Sequence, residues 1–142
     1  MRIFLDTNIF LRYLLADDER QFSQTLELFQ HIEAGKIIPF SSGLVMLEIM
    51  HTLRSFYQTS PKDIQFSLEK ILKTKNLTLV QKMPFTSAWE LHLKTGEKIT
   101  DCLILQQLPH NTLLCTLDEK LLRLAGENGI SLAQIEKRVQ AE

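Results

Sequence analysis

The chain reads as short apolar runs that alternate with longer stretches of helical spacing. Arg2-Ile3-Phe4-Leu5 is an apolar, β-prone run too short for a helix, and the Asp6-Thr7-Asn8 that follows caps and turns well. This predicts a buried strand and then a helix over the mostly apolar Ile9 to Leu15. Asp17-Asp18-Glu19 supplies acids suited to starting a second helix through Phe22, Leu26, Phe29 and Ile32, stopped by Gly35. Ile37 to Phe40 reads as a second strand with Pro39 near its end, and Ser41-Ser42 caps a helix from about Leu44 to Tyr57. Ser60-Pro61 is a helix start, with Ser as N-cap and Pro at the first helical position, followed by Ile64, Leu68, Ile71 and Leu72 at helical spacing. Leu77 to Val80 is a third strand. Pro84 opens a helix that carries Phe85, Ala88, Trp89 and His92 on one face and ends near Gly96; a further helix runs from about Thr100 to Leu108. Pro109-His110-Asn111 breaks it, Thr112 to Thr116 is a fourth strand, Asp118 to Gly126 a short helix, and Ile130-Ser131-Leu132 an added edge strand. Strands alternating with helices give an α/β fold with a mainly parallel sheet of four to five strands, covered on both faces.

Composition narrows this picture. With 142 residues, 44% hydrophobic and 23% charged, the chain has room for one domain spanning 1–142 and no obvious linker or repeat. Arg2, Asp6, Arg12 and Asp17 interrupt the N-terminal apolar runs, so neither a signal peptide nor a membrane span is expected, and a cytoplasmic location follows as the expectation. Cys102 and Cys115 sit in apolar stretches and form no CxxC pair, which favours buried thiols over a disulfide or zinc site. Sixteen Lys and Arg against seventeen Asp and Glu leave a net charge of −1. No global positive field steers nucleic acid, so any such binding must be local or metal-assisted.

The acids carry the candidate chemistry. In open α/β sheets the functional crevice lies beyond the carboxyl ends of the strands. Asp6 directly follows the first predicted strand and Asp118 comes two residues after the fourth. Glu48 lies inside the apolar Leu44-Val45-Met46-Leu47-Glu48-Ile49-Met50, and Asp101 stands between Ile99 and Cys102-Leu103-Ile104-Leu105. A carboxylate in an apolar run needs a partner, because a buried charge is costly unless paired or bound to metal. If the four converge, like-charge repulsion raises their pKa values until a cation neutralises them. An all-oxygen set suits Mg²⁺ or Mn²⁺ better than zinc, and the chemistry implied is phosphodiester hydrolysis by a metal-activated water. Each acid also has a plain structural use. Asp6 and Asp118 can be N-caps, and Asp101 can sit in the first turn of a helix capped by Thr100. Glu48 has only His51 as a strongly polar neighbour on its own helix face, or else a distant Lys or Arg.

These residues make the chain resemble the PIN-domain family, most closely the VapC-type toxins of toxin-antitoxin pairs. Ile3-Phe4-Leu5-Asp6-Thr7-Asn8-Ile9-Phe10-Leu11-Arg12 resembles the family's opening strand and first acid, and Ser41-Ser42 with Leu47-Glu48 its second-acid helix. Ile99-Thr100-Asp101-Cys102-Leu103-Ile104 resembles the third-acid helix, and Leu114-Cys115-Thr116-Leu117-Asp118-Glu119-Lys120-Leu121 the closing strand and fourth acid. The resemblance implies a three-layer α/β/α PIN fold and a Mg²⁺- or Mn²⁺-dependent ribonuclease with Asp6, Glu48, Asp101 and Asp118 as its acidic quartet. It implies Asp6 and Asp101 as the direct metal ligands, with Glu48 and Asp118 holding metal-bound waters or a second ion. Asn8 and Thr116 match polar positions that support the first and fourth acids. A homodimer and a small antitoxin are implied as partners beside the RNA substrate.

Other residues are weighed against ordinary uses. Glu97 and Glu119 are nearby acids that could extend the site, although exposed loop glutamates are ordinary. Arg12, Lys98, Lys120 and Arg123 are the local cations available for phosphate, though each is more often a solvated surface charge. His51, one turn beyond Glu48, could touch substrate, though a lone helical histidine is more often structural or exposed. Phe85 and Trp89 at helical spacing are expected in the core rather than as stacking platforms. Met46, Met50, Phe56, Tyr57 and Phe66 offer more apolar surface than the domain obviously needs, compatible with an adaptable binding face as well as with core packing. The competing function is a PIN-fold binding module without catalysis. An aspartyl-phosphate phosphatase or receiver domain fits less well, because Asn8 stands where the phosphatase needs a second Asp and Thr7 where the receiver pairs its acid.

Overall fold

The computed structural model describes residues 1–141. Five parallel strands, β1 (Arg2–Leu5), β2 (Ile38–Ser42), β3 (Thr78–Val80), β4 (Leu113–Cys115) and β5 (Gly129–Ile130), form one sheet in the order β3-β2-β1-β4-β5. Eight helices connect and flank them: α1 (Thr7–Leu15), α2 (Glu19–Glu33), α3 (Gly43–Ser55), α4 (Pro61–Leu72), α5 (Phe85–Thr95), α6 (Ile99–Gln107), α7 (Glu119–Ala125) and α8 (Leu132–Ala141). The central strand explains the layering. Ile3 and Leu5 point to one face and Phe4 to the other, and all three are fully buried, so helices cover both faces in the α/β/α arrangement of a parallel sheet. Phe4 stands in register with Phe40 of β2 and Leu114 of β4, which places the apolar centre of the fold across β2-β1-β4.

Local chemistry accounts for most helix starts. Asp18 caps α2 by accepting from the Gln21 amide, Ser60 caps α4 by accepting from that of Asp63 with Pro61 behind it, and Ser42 accepts from Val45 at the start of α3. Ser41 does not join that cap. β2 runs on through Ser41 and Ser42, and the buried Ser41 hydroxyl donates to the Leu5 carbonyl at 3.0 Å, binding β2 to the end of β1. Gly96 closes α5 at φ 72°, and Gly129 lies so close to α7 that a Cβ there would meet Leu122 Cδ1 at 2.9 Å.

The C-terminal end departs from expectation. The last strand stops at Ile130, and Ser131 and Leu132 begin α8 instead of continuing the edge. Ser131 Oγ accepts from the Gln134 amide while the Gln134 side chain accepts from the Ser131 amide, a reciprocal capping box. Leu132, Ile135 and Val139 then form a buried helical stripe in the main core, and α8 packs on α2. The α5 expectation is also corrected. Phe85 and Trp89 are exposed, stacked on one another at 6.2 Å and 16°, while Ala88 is the buried residue that seats α5 on α6 beside Cys102 and Leu103. α5 is apolar around most of its circumference, so its spacing did not fix which side turns inward. Both cysteines are buried and free. Among the described residues no helix is long and apolar enough to cross a membrane.

Candidate functional site

The sheet order reverses between β1 and β4, and a crevice opens beyond their carboxyl ends. The Asp6 amide donates to the Cys115 carbonyl at 3.1 Å, extending the β1–β4 ladder by one residue and setting Asp6 against the turn that carries Thr116 and Asp118. Glu48 projects from the middle of α3 and Asp101 from the first turn of α6. All four acids line one cleft of about 490 Å³, together with Thr7, Asn8, Leu47, His51, Thr52, Lys98 and Thr100. The chain brings together acids separated by more than a hundred residues of sequence: Asp6 and Asp118 follow strand ends, Glu48 sits on the helix after β2, and Asp101 stands in the first turn of α6.

Two threonines hold the carboxylates in place. Asp6 is 5% exposed; its Oδ1 accepts from the Thr7 amide at 2.7 Å, and its Oδ2 accepts from the Thr116 hydroxyl at 2.7 Å. The same Thr116 oxygen accepts from the Asp118 amide at 3.0 Å, so one side chain ties the first acid to the backbone of the fourth. Asp118 in turn caps α7, accepting from the Lys120 and Leu121 amides through Oδ1. The Thr7 hydroxyl donates to Glu48 Oε2 at 2.5 Å, joining α1 to α3. N-cap and cleft residue are therefore not alternatives for Asp6 or Asp118: each is both.

Burial, more than mutual repulsion, sets the electrostatics. Desolvation lifts Asp6 from an ordinary 3.8 to about 6, against the bonds from Thr116 and Thr7, with smaller upward contributions from Glu48 and Asp118. Glu48 and Asp101 are raised for the same first reason; Asp101 adds to the rise of Glu48, and Asp118 and Asp6 to that of Asp101, while Lys98 opposes both shifts. The ion pairs among the described residues are Arg12–Asp17 and Lys120–Glu97, and neither reaches any of the four acids. The cleft thus gathers partly desolvated carboxylate oxygens that no ion pair among the described residues reaches.

Such a donor set fits a hard divalent cation. Among the described residues no three acidic, His or Cys side chains converge as a closed ligand shell. The carboxylate oxygens present would suit such an ion with water completing its shell, and they offer none of the thiolate or imidazole ligands of a structural zinc site.

The remaining sequence candidates divide. Asn8 lines the cleft, but the bonds that orient Asp6 come from Thr7 and Thr116. His51 lines the cleft without taking the place of Glu48's partner, which is Thr7 from another helix. Sequence reasoning missed Thr7 in that role: the residue reads as part of a turn, and its acceptor lies 41 positions away. Lys98 lines the cleft, whereas Arg12 is held by Asp17 and Tyr57, and Lys120 pairs with Glu97 at 3.7 Å. Arg123 is exposed in the last turn of α7, and Glu119 is exposed at its start. Met46 belongs to the core, while Met50, Phe56 and Phe66 are exposed.

Comparison with known proteins bears on the family and the fold. The PIN domain family profile matches residues 3–127, and the chain belongs to that family. PIN domains are generally nucleases that use divalent metal ions. A crystal structure of VapBC2 from Rickettsia felis bound to a DNA fragment from their promoter superposes with a TM-score of 0.62 at 18% identity, covering 92% of this chain and 97% of that one. PAE2754 from Pyrobaculum aerophilum superposes with a TM-score of 0.67 at 15% identity over 100% of both chains. No curated protein matches the sequence.

Proposed function

We propose that residues 1–142 act as one PIN domain that hydrolyses RNA phosphodiester bonds with Mg²⁺ or Mn²⁺, and that the chain is the toxin of a toxin-antitoxin pair. The observation that carries the proposal is the convergence of Asp6, Glu48, Asp101 and Asp118 on one cleft at the strand-order reversal, with no ion pair among the described residues to neutralise them. In this reading Asp6 and Asp101 would be the direct ligands, and Glu48 and Asp118 would hold metal-bound waters or a second ion. A bound ion would supply an activated water and charge stabilisation for the departing oxygen. The chain's own part is orientation. Thr116 and Thr7 fix the rotamers of Asp6 and Glu48, and Asp118 is fixed by the first turn of α7.

The partner half of the proposal draws support from the Rickettsia felis neighbour, whose structure is of a VapBC pair on DNA. It also draws on apolar side chains: Leu47 and Met50 on α3, and Phe85, Trp89 and Leu93 on α5, are exposed and suit a homodimer or an antitoxin. Incubation of the purified protein with total tRNA in Mg²⁺ or Mn²⁺, in EDTA, and with Asp6→Asn and Asp101→Asn tests the catalytic half. Metal-dependent cleavage lost in both variants is expected. Folded but inert wild type, after removal of any bound partner and across several RNA pools, overturns it in favour of a binding module.

A further inference from the structure

Lys98 occupies a position that helix stability does not explain. It stands at the N-cap of α6 and makes no capping hydrogen bond, and a cation at that end opposes the helix dipole. Of the basic side chains considered for phosphate, Arg12 is tied to Asp17 and Lys120 to Glu97, while Lys98 lines the cleft itself. No acid lies within ion-pair distance of its ammonium among the described residues, yet its charge acts on Glu48 from α3 and on Asp101 from α6. It lines one cleft with Glu48 and Asp101 and is paired to neither. The other titratable groups around the cleft are Asp6, Asp118 and His51 lining it, with Glu97 acting on Asp101 from outside.

We propose that Lys98 is a resident counter-ion of the carboxylate cleft, a tethered cation that competes with the divalent metal and so sets the concentration at which metal enters. The inference rests on the metal reading above. A mobile ammonium on a flexible stem partly neutralises Glu48 and Asp101 when the cleft is empty, and its charge repels an arriving ion. It is a positioning and tuning residue, not a ligand.

The test is calorimetric titration of Mn²⁺ into the wild type, Lys98→Met, Lys98→Arg and, as a control on α5, the exposed Lys94→Met, with thermal unfolding to show that each is folded. Lys98→Met should bind Mn²⁺ about three- to tenfold more tightly at low salt, with the gain shrinking as salt screens the charge. Lys98→Arg and Lys94→Met should bind like the wild type. Equal or weaker binding by Lys98→Met, alongside a wild type that binds, overturns this inference and leaves the metal reading standing. Absence of Mn²⁺ binding in every form overturns both.

Discussion

Thr116 does more for the cleft than any acid's own backbone. Its hydroxyl donates to Asp6 Oδ2 and accepts from the Asp118 amide, so a single oxygen ties the first carboxylate to the backbone of the fourth acid. Thr116→Val keeps the shape and removes both bonds, leaving a buried carboxylate oxygen and a backbone amide without partners. The expected cost is about 1–3 kcal/mol of stability in urea denaturation. Mn²⁺ affinity and RNA cleavage should fall roughly 10–100-fold, the usual effect of losing a group that orients ligands, and Thr116→Ser should restore most of both. An unchanged metal affinity in Thr116→Val would mean that Asp6 needs no such support.

At the scale of elements, α8 and α5 show how secondary structure is placed by packing. Leu132, Ile135 and Val139 bury one stripe of α8 against the core. Ile135→Ala should therefore cost about 2–4 kcal/mol in denaturation, far more than trimming an appendage; a loss below about 1 kcal/mol would show α8 to be dispensable. That helix was readable in principle, since Ser131 and Gln134 make a capping box, but the β-prone Ile130 beside it drew the reading toward a strand. The start of α4 was plain because Ser60-Pro61 carries its own instruction in two adjacent residues. The candidate site was legible for a related reason: acids after a strand or inside an apolar run stand out locally. Its supports were less so, because the Thr7–Glu48 bond joins positions that only the assembled fold brings together, and α5's inward side depended on α6.

For the whole molecule, the cleft is a source of instability that the rest of the core must outweigh. The unfolded chain releases the Asp6 proton near 3.8, and the folded chain retains it up to about 6. Between those values folding takes up a proton, so stability falls as pH rises through the window and the loss is complete above the upper value. The span corresponds to about 3 kcal/mol. In metal-free buffer, wild type should lose up to that much relative to Asp6→Asn between about pH 4 and pH 7, by urea denaturation at each pH. Parallel profiles for the two proteins would place the ionisation elsewhere. Saturating Mn²⁺ should flatten the wild-type profile, because a bound cation favours the ionised carboxylates.

The central pairing of β1 with β4 joins the start of the chain to residues more than a hundred positions later. During synthesis the cleft therefore cannot exist until Asp118 has left the ribosome and β4 has docked beside β1. A message translated only part way, or a chain cut within α5 or α6, yields fragments that each hold some of the acids and none of the constellation, so a cell making this protein meets its chemistry only after nearly every other part of the fold is in place.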